Sequence, residues 1–112
     1  MKRNTNLFID DILENIDLIL DSVNGTGEKD FKSNRLVIDA TIRRLEIIGE
    51  AVKNIPEEIK NSTPKIPWKK IAGMRDILTH SYFGVNAERI WEVIKSDLPD
   101  LKDNIKKLKE LI

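Results

Sequence analysis

The 112-residue chain has no cysteine and only one histidine, which excludes disulfides, iron–sulfur clusters and Cys/His zinc sites and suits a reducing cytoplasm. A carboxylate metal site stays open on composition, but no motif calls for a metal or a cofactor. Aromatic residues make up only 5% of the chain, so the core has to be built mainly from Ile, Leu and Val. Net charge is also missing: 19 basic residues balance 19 acidic ones, and a pI near 6.6 gives no general attraction to nucleic acid. Any site for a polyanion must therefore be local. No stretch approaches the roughly 18 apolar residues of a spanning helix. The opening MKRNTNLFIDD is broken by acids and lacks the apolar centre of a signal peptide. The expected location is the cytoplasm, away from membranes.

What is present is helical patterning. A chain of this length supports one core, so residues 1–112 are expected to form a single domain. Between Leu7 and Val23, apolar residues recur at steps of three and four, which predicts an amphipathic helix ended by Asn24-Gly25-Thr26-Gly27. After a connector around Asp30-Phe31, Ser33 is the expected N-cap of a long second helix carrying Leu36, Val37, Ala40, Leu45, Ile48 and Val52, which Pro56 stops. Gly49 inside that helix costs roughly 1 kcal/mol relative to Ala, and so points to a close helix–helix approach, within the bundle or across a dimer.

Residues 56–67 hold three prolines and read as a connection with one helical turn in PEEIKN. Pro67 suits the first position of a third helix, Trp68 to about Ser81, closed by Tyr82-Phe83-Gly84. Asn86 is the expected N-cap of a helix with Ile90, Trp91, Val93 and Ile94, and Pro99 the start of a fresh final helix. No alternating strand pattern of useful length occurs. The fold class is all-α, an up-and-down bundle of four to five helices.

Chemistry concentrates in Met74-Arg75-Asp76-Ile77-Leu78-Thr79-His80-Ser81-Tyr82, which holds the only His and the only Tyr. A bland reading exists for each residue: a His at a helix end is often a dipole partner, and Arg–Asp neighbours often form a solvated face. Lys60, Lys65, Lys69, Lys70 and Arg75 follow one another without an intervening acid, either as a phosphate-holding stripe or as ordinary surface charge. Arg43 and Arg44 lie in the second helix, and one of them is free to turn toward a cleft. Trp68 and Trp91 sit among aliphatic residues and read as packing residues in preference to base platforms.

The succession LFIDDILENID, RRLEIIGEAVKNIP, IPWKKIAGMRDILTHSYFGVN and IWEVIKSDLPDLK resembles the HepT family of the HEPN ribonuclease superfamily over nearly the whole chain. That family's Arg-x4-His-x-Tyr motif is matched at Arg75, His80 and Tyr82, with Asp76 as the polar residue after the Arg. The resemblance implies metal-independent RNA cleavage, with His80 moving protons, Arg75 holding phosphate and Asp76 orienting them. On an RNA-cleaving reading, the local basic residues Lys69, Lys70, Arg43 and Arg44 are the candidate RNA contacts. The resemblance further implies a toxin whose partner is an MntA-like minimal nucleotidyltransferase antitoxin able to adenylylate Tyr82. On one ideal helix His80 lies about 140° from Arg75, so either the helix unwinds near Thr79 or two motifs face each other in a homodimer, the arrangement that the resemblance favours. A noncatalytic module that binds a transferase or a nucleotide is the alternative from a different class.

Overall fold

The computed structural model describes residues 2–79 and 86–112, with side chains described for 5–74 and 86–112. Six α-helices precede a seventh: α1 (Lys2–Ser22), α2 (Glu28–Ser33), α3 (Arg35–Lys53), α4 (Glu57–Ser62), α5 (Trp68–Thr79), α6 (Ala87–Glu92) and, after a π turn at Val93–Asp97, α7 (Leu98–Leu111). Among the described residues there is no strand. The chain is all-α, as the periodicity requires.

The three-and-four spacing of α1 puts Ile9, Ile12, Ile16, Ile19 and Val23 on one stripe, and all five are buried. Gly25, at φ +76°, turns the chain after α1 in the left-handed region that glycine reaches without penalty. α3 contributes Ile38, Leu45, Ile48 and Val52, and packs against α1 on one side and α5 on the other. Gly49 is buried within the chain itself, on the inward face of α3.

α1 and α7 run antiparallel, because Lys102 meets Asp17 at 2.6 Å while Lys109, seven residues further on, meets Asp10, seven residues back. Ile105 and Leu108 of α7 complete the core beneath those pairs.

Three boundaries differ from the sequence expectation. Asp30-Phe31 is not a connector but the middle of α2, a short helix fastened by fully buried Phe31. The N-cap of α3 is Asn34, whose Oδ1 accepts from the Val37 amide at 3.2 Å; Ser33 instead closes α2, donating to the Asp30 carbonyl. Both residue types cap well, and the extra helix shifts the boundary by one.

Pro99 stands in the first turn of the final helix, as expected, but no break sets that helix off: α6, the π turn and α7 follow one another directly, with the Leu98 amide bonded five residues back to Val93. The missing Pro99 amide and the bulk of its ring are taken up by this widened turn. Pro67 stands just before α5, its carbonyl accepting from Ile71, and Asn86 caps α6 as expected. The expected closure at Tyr82-Phe83-Gly84 lies outside the described residues.

Candidate nucleic-acid interface

α5 carries the first half of the candidate motif. Trp68, Ile71 and Met74 are buried and set the helix against α3. Trp68 is further fixed by its indole Nε1, which donates to Thr63 Oγ1 at 3.0 Å, while Thr63 donates to the Ile59 carbonyl at 2.7 Å. One hydroxyl thereby ties the end of α4 to the start of α5.

The backbone is helical through Thr79, so Arg75 and Asp76 occupy helical positions and any unwinding between the motif's halves begins no earlier than residue 80. His80 and Tyr82 lie outside the described residues, and the side chains of Arg75 and Asp76 are likewise not described. The helical register places Ala72 one turn before Arg75 and Asp76, at i+3 and i+4, so these three positions share one flank of α5.

Adjacent Lys69 and Lys70 are separated by about 100° around the axis. Lys70 reaches across to the π turn, 3.2 Å from Asp97 Oδ1, whereas Lys69 is exposed on the Ala72 flank with no ion-pair partner among the described residues. In α3, Arg43 is 73% exposed and pairs loosely with Glu46 at 3.7 Å, while Arg44 is half-buried. Arg43 therefore meets solvent and Arg44 lies closer to the body of the bundle.

Two features were invisible in sequence spacing. Lys60 has only 18% of its side chain exposed and stands 3.7 Å from Glu57, in a cleft of about 400 Å³ between α4 and α5. Lys95 sits 4.7 Å over the ring of Trp91, whose ring also meets Phe31 at 5.2 Å. Trp91 is thus committed to packing and to a cation, and Trp68 to the core. Among the described residues no group of three or more His, Asp or Glu is placed to hold a metal ion.

A small helical protein with a lysine-bearing cleft beside the candidate motif belongs to the class that offers local cationic surface on a neutral body. Residues 12–108 match the family described as ribonuclease HepT-like, and the chain belongs to that family. A probable ribonuclease HepT of Thermococcus cleftensis is 44% identical over 110 residues, covering 98% of this chain and all of that protein. A Caldanaerobacter subterraneus protein named as a candidate RNase is 44% identical over 101 residues, 90% of each chain. A Methanocaldococcus jannaschii protein named for gamma-glutamylcyclotransferase and a candidate RNase is 46% identical over 110 residues, 98% of this chain, which spans half of that longer relative. No solved structure matches.

Proposed function

We propose that the chain is a toxin endoribonuclease, working as a single-domain protomer of a homodimer, that cleaves RNA without a metal through Arg75, His80 and Asp76. The observation that carries this reading is the HepT-like match over residues 12–108, within which the chain holds the complete series Arg75, His80 and Tyr82. The chemistry fits the residue types. The ribose 2′-hydroxyl attacks the neighbouring phosphorus, forming a P–O bond as the bond to the 5′ oxygen breaks. His80 takes the hydroxyl proton or supplies one to the leaving oxygen. Arg75 faces the negative charge that builds on the phosphoryl oxygens, and Asp76 orients either partner.

Facing motifs across a two-fold axis supply two histidines, one as base and one as acid. The dimer reading is supported by apolar side chains left outside the protomer, with Leu36 83% exposed and Leu7 and Leu18 also exposed. Lys69, Lys70, Arg43 and Arg44 are the cations assigned to RNA; the pairs that hold Lys70 and Arg43 lie at the surface and are weak enough for a polyanion to displace.

The test is cleavage of RNA by purified protein in the presence of a chelator. Wild type should cleave and Arg75→Ala and His80→Ala should lose at least ~10²-fold in rate. Equal residual cleavage in all three sinks the reading.

Control is assigned to Tyr82 and a nucleotidyltransferase antitoxin. The phenolic oxygen attacks the α-phosphorus of ATP, pyrophosphate leaves, and the phenolic proton passes to solvent or base. The new phosphate places negative charge where substrate phosphate would lie. After co-expression with such a transferase, the intact mass should rise by whole adenylate increments in wild type and stay unchanged in Tyr82→Phe; the same increase in Tyr82→Phe refutes the assignment.

A further inference from the structure

The cleft between α4 and α5 has a composition that catalysis at Arg75 and His80 does not itself require. Its floor is apolar, formed by Pro67, the edge of Trp68 and Ala72, and its rim carries Lys60, Lys69 and the amide of Asn61. The one acid on the rim, Glu57, is 81% exposed and pairs with Lys60 through water-rich surroundings, so an incoming phosphate displaces it at little cost. Lys60 differs from an ordinary surface lysine because its side chain is largely buried where it lines the cleft.

A second cleft of similar volume, lined by Thr5, Pro56, Ile59 and Leu111, contains no cation. Two other clefts also carry two lysines each, Lys65 and Lys70 beside Asp97 and Asp100 in one and Lys65 and Lys107 in the other, so the lysines alone do not single this cleft out; its place on α5 does. On a molecule of zero net charge, such local concentration is what a polyanion can use.

Position gives the cleft its meaning. Ala72 lines it, and the next turn of the same flank of α5 brings Arg75 and Asp76. Lys69 precedes Arg75 by six residues, about 9 Å along the helix axis.

We propose that this cleft is a flanking-nucleotide subsite for single-stranded RNA: Lys60 and Lys69 hold a phosphate neighbouring the scissile one, and its base or ribose lies on Pro67, Ala72 and the Trp68 edge with Asn61 offering its amide. The subsite rests on the ribonuclease reading above and adds to it where the substrate strand runs. A cleft of about 400 Å³ suits one unstacked nucleotide and not a duplex. Lys70 is excluded from the subsite, because it faces the π turn and pairs with Asp97.

The experiment is fluorescence anisotropy at low salt, in chelator, with a labelled single-stranded oligoribonucleotide of about eight residues and the matching duplex. The Lys60→Gln/Lys69→Gln protein should bind the single strand about tenfold more weakly than wild type, with the slope of log affinity against log salt reduced by roughly 1.4, or 0.7 per lysine. Lys32→Gln, at a surface lysine of α2 outside the cations assigned to RNA, should change affinity less than about twofold, and Lys60→Arg/Lys69→Arg should bind nearly as wild type. The duplex should bind more weakly than the single strand in wild type.

The subsite is overturned if the double Gln protein binds as wild type does, if Lys32→Gln costs as much, if the duplex binds better, or if wild type binds no oligonucleotide. Cleavage assayed in parallel keeps the two readings apart. Lysine-dependent binding with no cleavage by any protein sinks the ribonuclease and leaves the subsite, whereas Arg75-dependent cleavage with lysine-independent binding does the reverse.

Discussion

Thr63 uses its hydroxyl twice, accepting from Trp68 Nε1 and donating to the Ile59 carbonyl; Ser62 Oγ also donates to that carbonyl, so the buried indole N–H is the partner that depends on Thr63. Thr63→Val keeps the shape and removes both bonds, leaving the indole N–H without its partner. We expect a loss of about 1–3 kcal/mol in urea unfolding, with an unchanged m-value. A stability equal to wild type would show that water replaces the hydroxyl fully. At this scale, residue type was legible in the sequence and partnership was not. Ser33 and Asn34 are adjacent and equally good caps, and only the presence of α2 decides between them. Lys69 and Lys70 look alike in the sequence, and what separates them is Asp97, 27 residues away.

Between elements, charge complements apolar packing where α1 meets α7. Asp17 holds the Lys102 ammonium above the ordinary lysine value of 10.5, first through a hydrogen bond and then through its charge, with Asp21 and Asp103 adding in the same direction. A lysine with a raised folded value contributes its full stabilisation below about pH 10.5 and loses it as pH climbs through that raised value. Asp17→Asn should return Lys102 toward 10.5, measured by carbon NMR at its Cε, and molar salt should shrink the difference. An unmoved titration would remove Asp17 as the cause. The long elements were readable because their apolar stripes repeat over several turns. α2 escaped because six residues with a single buried side chain carry no periodicity.

For the whole molecule, the geometry of Arg75 and His80 cannot be completed by one straight helix, since α5 is regular through Thr79. The proposed arrangement has two motifs converge from two chains, and on it light scattering at micromolar concentration should give twice 12.9 kDa. A 12.9 kDa particle would return both residues to a single protomer and require the chain to bend after residue 79. The motif residues were visible in the sequence as types at a spacing. The cleft beside them was not, because its walls come from two helices joined by a proline-rich connection whose path no periodicity specifies.

The widened turn at Val93–Asp97 has a consequence for how the chain tolerates length change. A π turn is an α-helix holding one surplus residue, so the flanking helices keep their common axis and phase. Losing one residue there, at Ser96 for example, would let the turn relax to an ordinary one while Lys102 and Lys109 stayed opposite Asp17 and Asp10. The ring of Pro99 would then press on a carbonyl that the surplus residue now moves aside. The insertion and the proline form a matched pair, each acceptable because of the other, and lineages that drop one should be found to have dropped both.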